Sequence, residues 1–72
     1  MVKIYYPSGK IQETDEYING KGNGEIITYY ESGVMNMKAI FKDGLKNGPV
    51  IYFNENGEVI KRENYVAGEL IN

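Results

Sequence analysis

The sequence predicts an all-β fold: a single elongated, twisted antiparallel meander of stacked β-hairpins. Three observations predict it. Glycine and aromatic positions recur with a period of 24 residues, as at Gly9, Gly33 and Gly57 or at Tyr17, Phe41 and Tyr65. No segment between glycines holds a helical apolar pattern for even about ten residues, so helix is not favoured. The runs between glycines are rich in isoleucine, valine, tyrosine and phenylalanine, which suit extended backbone.

The elements follow in order. VKIYY at 2–6 reads as a strand, PSG at 7–9 turns it, and a return strand is placed near 10–17. NGKGNG at 19–24 reads as the next turn, followed by a strand near 25–30 that ends in YYESG, almost a copy of YYPSG at 5–9. ESG at 31–33 then turns the chain into a strand near 34–41, and DGLKNG at 43–48 turns it again. Strands near 50–54 and 58–66 flank the ENG corner at 55–57. The repeat units are drawn at 5–28, 29–52 and 53–72, the last incomplete, in one domain over 1–72. After Ala67-Gly68, the residues Leu70 and Ile71 are expected to add a fragment of strand or to dock onto a partner.

The glycines carry a physical reason. Tight hairpin turns require positive φ, which glycine reaches without penalty and asparagine or aspartate tolerates. Asn19-Gly20 and Asp43-Gly44 are strong signals of this kind. The turn-defining set is Gly9, Gly20, Gly24, Gly33, Gly44, Gly48, Gly57 and Gly68.

Strand side chains alternate faces with period two, so an even repeat keeps each position on one side. Val2, Ile4, Tyr6, Ile26, Thr28, Tyr30, Val50 and Tyr52 then share one face of the outbound strands. Tyr5, Ile27, Tyr29, Ile51 and Phe53 share the other and form the candidate protein-contact face. Both faces read as substantially apolar. On the return strands, Ile11, Glu13, Asp15 and Tyr17 align with Met35, Met37, Ala39 and Phe41, and Ile40 falls on the opposite side.

Composition excludes several classes of function. Eight basic against ten acidic residues give a net charge of -2, a poor footprint for nucleic acid. Lys10, Lys21, Lys42 and Lys46 are diluted by acids. A membrane surface would want a cationic rim beside the apolar residues, and the same balance argues against it. No run of 18 apolar residues spans a bilayer, no signal-peptide core is read at the start, and cytoplasm is the expected compartment. With no histidine or cysteine, no soft metal ligand or triad is offered, so no catalytic residue, metal, cofactor or small-molecule substrate is expected.

Two apparent motifs dissolve on inspection. In NGKGNG, Lys21 is followed by glycine rather than by serine or threonine opening a helix, and its copy has Leu45 there; this is turn chemistry, not a phosphate loop. Glu13 and Asp15 could sit about 7 Å apart on one strand face, but their counterparts are Met37 and Ala39. They are read as solvated strand polarity, as is the alternating run Lys61-Arg62-Glu63.

YINGKGNG at 17–24, FKDGLKNG at 41–48 and the YYxSG corners resemble the variant form of the MORN repeat. Tyr17, Gly20 and Gly24 match its aromatic-glycine-glycine spacing, as do Phe41, Gly44 and Gly48; Tyr65 and Gly68 match its beginning. The glycine that the standard motif places two positions further is Ile26 or Val50 here, and tryptophan is absent. The resemblance implies a sheet of stacked hairpins acting as scaffold or contact surface. It also implies a protein partner, because many bacterial relatives of this type are described as antitoxin-like. The functional expectation is a non-catalytic protein–protein interaction module that forms a homodimer or other homo-oligomer. The alternatives are an antitoxin-like protein that neutralises a partner toxin, and a peripheral membrane-binding module.

Overall fold

The computed structural model describes residues 1–18 and 20–71, and among them there is no helix. One open antiparallel sheet holds seven strands in chain order. They are β1 (Val2–Tyr5), β2 (Ile11–Ile18), β3 (Lys21–Tyr29), β4 (Met35–Lys42), β5 (Leu45–Phe53), β6 (Val59–Val66) and β7 (Glu69–Leu70). The expected meander of hairpins is therefore the observed one. Asn19, half of one expected turn, lies outside the described residues.

Two kinds of corner alternate. After β1, β3 and β5 comes a three-residue loop. Gly9 N–H donates to the Tyr6 carbonyl at 2.9 Å, Gly33 to Tyr30 at 2.9 Å and Gly57 to Asn54 at 3.0 Å. Gly9, Gly33 and Gly57 have φ of 91°, 95° and 82°, the left-handed residue that closes a type I turn with a bulge. After β4 and β6 the loop is only two residues, Asp43-Gly44 (φ 52° and 84°) and Ala67-Gly68 (φ 48° and 87°). Paired positive φ is the type I′ geometry, whose twist matches that of the flanking strands.

Here the structure differs from the sequence-based expectation. β3 and β5 start at Lys21 and Leu45, well before the expected 25 and 50; at β5 the reason is that the two-residue turn Asp43-Gly44 closes at once. The remaining residues of NGKGNG and DGLKNG are strand. The β2–β3 register jumps between Asp15 and Tyr17, whose partners are Ile26 and Gly22, and the β4–β5 register jumps equivalently between Ala39 and Phe41. Gly24 (φ 96°) and Gly48 (φ 121°) sit within these jumps, so they shape bulges rather than turns. Ile40 packs where a Gly48 side chain would be, 3.5 Å from the position of a Cβ there.

One row of residues crosses the sheet on what we call the inner face: Val2, Asp15, Ile26, Ala39, Val50 and Glu63, each opposite the next. Ala39 and Val50 are completely buried, although no second layer covers them. Their neighbours in the same face, Met37, Phe41 and Tyr52, are large enough to close over a sheet whose backbone measures 34 × 30 × 12 Å. The accessible surface of 4742 Å² is close to the roughly 4,500 Å² expected for a compact chain of this size. The sheet thus supplies its own small core in a single layer.

Asp15 corrects another expectation. It is not solvated: only 3% of it is exposed, and its Oδ1 has no hydrogen-bond partner. The reason is its place in the inner row, between Val2 and Ile26. The Glu13 carboxyl is held above the usual glutamate range, first by a hydrogen bond to Asp15, then by burial and by the Asp15 charge. The proximity of Asp15 thus favours the protonated form of Glu13, the form that adds no second charge beside the buried carboxyl.

The sign of the pH effect follows. A raised carboxyl contributes stability that is full below the ordinary glutamate range and is lost as pH climbs through the raised value. Glu13→Gln keeps a donor without the repulsion, so at pH 7 it is expected to stabilise the fold by on the order of 1 kcal/mol. Urea melts at several pH values check this: the advantage of the variant should shrink as pH falls below the glutamate range. A constant difference would contradict it. A second prediction concerns Ala67, which adopts the left-handed conformation (φ 48°) that alanine dislikes. Ala67→Asn should raise stability by up to about 1 kcal/mol, read as a shift of the urea midpoint at unchanged slope.

Candidate functional site

The predicted contact residues lie on the outer face or at its margin. Ile27 and Ile51 face each other across Lys38, which is opposite both. The row continues outward to Thr14 and Lys3 on one side and to Arg62 on the other. The return strands thus interleave polar residues with the isoleucines. Lys38 Nζ pairs with Glu25 Oε2 at 2.7 Å, with both side chains more than a third exposed; such a surface pair is worth little. Tyr5, Tyr29 and Phe53 each stand at a register break beside a three-residue corner, opposite Ile11, Met35 and Val59. Ile27 and Tyr29 of β3, like Ile51 and Phe53 of β5, are two residues apart on one strand and so share its face. Of the five, only Tyr5 is strongly exposed, at 54%.

Neighbouring hairpins are latched by residues to which sequence reasoning gave no role. Tyr6 O–H donates to the Tyr29 carbonyl at 2.6 Å, and Tyr30 O–H to the Phe53 carbonyl at 2.7 Å. The latches satisfy carbonyls at the register breaks, where the ladder leaves them short of partners. The third position in this series is Asn54, which braces its own corner instead. Its Oδ1 accepts from Asn56 and Glu58 N–H at 2.9 and 3.0 Å. At the other end of the sheet, Asn23 Oδ1 accepts from Asp43 N–H and Asn47 Oδ1 from Ala67 N–H, both at 3.1 Å. The signal was present in the sequence, since Tyr6 and Tyr30, like Asn23 and Asn47, differ by the repeat length.

On the inner face, β5 and β6 hold a polar cluster around Glu63. Tyr52 and Tyr65 O–H donate to Glu63 Oε1 at 3.1 and 3.4 Å, and Lys61 Nζ lies 3.4 Å from Oε2. Burial pushes the Glu63 carboxyl up, but the Tyr52 hydrogen bond, the Lys61 charge and the bonds from Lys61 and Tyr65 outweigh it and hold the group below its usual range. Burial and the Glu63 carboxylate together push the Tyr52 phenol up. Lys61 also stands 5.7 Å over the Tyr52 ring, and Lys46 stands 4.8 Å over Tyr65. Every member of this cluster has a structural partner, so the cluster fastens β6 to β5.

Chemistry finds little purchase. A shallow groove of about 510 Å³ lies between the first two three-residue corners, lined by Gly9, Lys10, Ile11, Tyr29, Ser32 and Gly33. It holds no carboxylate, imidazole or thiol side chain. Among the described residues no group of three acids, histidines or cysteines is placed to hold a metal, and no helix is long and apolar enough to cross a membrane.

What remains distinctive is the exposed apolar surface. It is concentrated on the outermost strands, at Val2, Ile4 and Tyr5 of β1 and at Val59, Ile60 and Leu70 of β6 and β7, each 42–62% exposed. These strands also have free edges. Among the described residues nothing pairs with the outer edge of β1; β7 covers β6 at Tyr65 and Val66, and Ile71 N–H adds a bond to the Asn64 carbonyl at 2.8 Å.

No curated protein and no solved structure gives a match. The chain does match the family described as MORN repeat variant three times in succession, over residues 1–19, 22–43 and 46–67. Each match contains one hairpin joined by a three-residue corner: β1–β2, β3–β4 and β5–β6. Repeats of this family are non-enzymatic modules for contact with proteins or membranes. With most of its length accounted for by those three units, the chain belongs to the MORN repeat family, in its variant form.

Proposed function

We propose that the chain is a non-catalytic protein-interaction module that associates with further copies of itself. One observation carries this reading: among the described residues, large apolar side chains and unpaired strand edges coincide at both ends of the sheet. An unpaired edge presents a row of backbone donors and acceptors that another strand can satisfy. Apolar side chains flanking it add burial at about 25 cal/mol per Å². The inner face is a weaker candidate, because Ala39 and Val50 at its centre are already shielded by the chain itself. The family supports contact with proteins or membranes, and the net charge of -2 favours the former over an anionic lipid surface.

Sedimentation velocity from micromolar to near-millimolar protein tests the reading. The weight-average mass is expected to rise with concentration above that of one chain. A strictly monomeric species up to the solubility limit would contradict self-association and leave a different protein, such as a toxin, as the candidate occupant of the same strands.

A further inference from the structure

We propose that the free edge of β6 receives β1 of a second copy, in a register that places Glu63 opposite Val2, Arg62 opposite Lys3 and Lys61 opposite Ile4 of the second copy. The inference rests on the self-association reading and names its interface.

The register comes from the two seams of this kind inside the sheet. In the first, Asp15, Thr14 and Glu13 of β2 face Ile26, Ile27 and Thr28 of β3. In the second, Ala39, Lys38 and Met37 of β4 face Val50, Ile51 and Tyr52 of β5. The same steps carried to β6 reach Glu63, Arg62 and Lys61, which among the described residues have no strand opposite on that side. The strand they call for must resemble the later parts of β3 and β5, ITY and IYF preceded by an apolar residue. β1 is that strand: VKIY aligns with IITY and VIYF, and among the described residues no strand pairs with its outer edge. β1 also pairs with β2 as β3 pairs with β4. Val2 faces Asp15 as Ile26 faces Ala39, and Ile4 faces Glu13 as Thr28 faces Met37.

β7 supplies the other half of the junction. Leu70 faces Tyr65 and Glu69 faces Val66, as Lys46 faces Phe41 and Leu45 faces Lys42 at the start of β5. β7 thus pairs with β6 as the openings of β3 and β5 pair with the strands before them, and β1 of the second copy would lie beyond it along the same edge. Gly44 N–H donates to the Gly22 carbonyl and Gly68 N–H to the Lys46 carbonyl. The next bond in that series runs from Gly20 N–H of the second copy to the Leu70 carbonyl.

Three physical consequences follow. The exposed apolar residues of β1 and those of β6–β7 become neighbours, which removes both sets from water together. Glu63 comes to lie between Val50 and Val2 of the second copy, just as Asp15 lies between Val2 and Ile26. The contact is also head-to-tail, so it leaves one edge free at each end and builds oligomers that grow past the dimer. Two features keep it weak. Asn54 stands where a latching tyrosine would be, and Arg62 meets Lys3 of the second copy, a like-charge pair directly across the seam.

That mismatch provides the test, because Lys3 and Arg62 are both exposed and their replacement leaves the core untouched. Lys3→Glu alone and Arg62→Glu alone each create an opposite-charge pair and should tighten association by roughly tenfold at low salt. The double variant restores a like-charge pair and should return to about wild-type strength. Added salt should strengthen wild-type association and weaken that of the single variants. Sedimentation of the four proteins at two ionic strengths, with circular dichroism as a check on folding, reads all of this. If the proteins associate but the swaps act additively, or Arg62→Glu has no effect, the β6–β1 interface is wrong while self-association stands. If all four are monomeric at every concentration, the self-association reading itself falls.

Discussion

The structure depends on where the backbone is allowed to adopt positive φ. Each reversal uses a glycine in the left-handed region, and the turns at 43–44 and 67–68 add Asp43 and Ala67 at the preceding position. Gly24 and Gly48 carry the same conformation inside β3 and β5, where the extra residues of the outbound strands are absorbed as bulges. These positions fix the register of each strand against the next. A slip of one residue would send every side chain of a strand to the opposite face. In a single-layer sheet that slip would place Lys38 and Arg62 on the inner face and expel Ala39 and Val50.

Given that register, side chains finish what the ladder leaves undone. The tyrosine latches and the Asn23 and Asn47 amides work at opposite ends of the sheet, each tying one hairpin to the next. The fully buried apolar residues are confined to the middle strands, where β3 and β5 flank β4. Towards either side the same row holds an acid, Asp15 or Glu63: Asp15 raises the affinity of its neighbour Glu13 for a proton, while phenols and Lys61 surround Glu63. The unit is one that gains by stacking, as repeat architectures do, because each hairpin is covered by its neighbours and the outermost ones are covered on one side only.

Much of this was legible in the sequence, and the illegible parts have physical reasons. The strands, the corners and the facing of the outbound residues follow from spacing, since glycine and aromatic positions recur and parity does the rest. The difference between a turn glycine and a bulge glycine does not follow, because Gly20 and Gly24 answer to the same conformational need. The candidate face of Ile27 and Ile51 was read from outbound strands alone. Its true character depends on Lys38 of the intervening strand, which only cross-strand register reveals. Asp15 looked solvated because its own strand is polar; its burial is decided by Val2 and Ile26 on the strands to either side. Tyr6 and Tyr30 were countable as repeat positions, yet their latching role required the neighbouring carbonyls to be in place.

Cross-strand NMR contacts test the central claim most directly, because they report register without reference to function. The structure requires Ala39 to lie between Ile26 and Val50, with Gly24 opposite Phe41 and Gly48 opposite Tyr65. Contacts joining those residues are the predicted result. Contacts that instead set Ala39 against Ile27 and Ile51 would show a one-residue slip and contradict the account at its root.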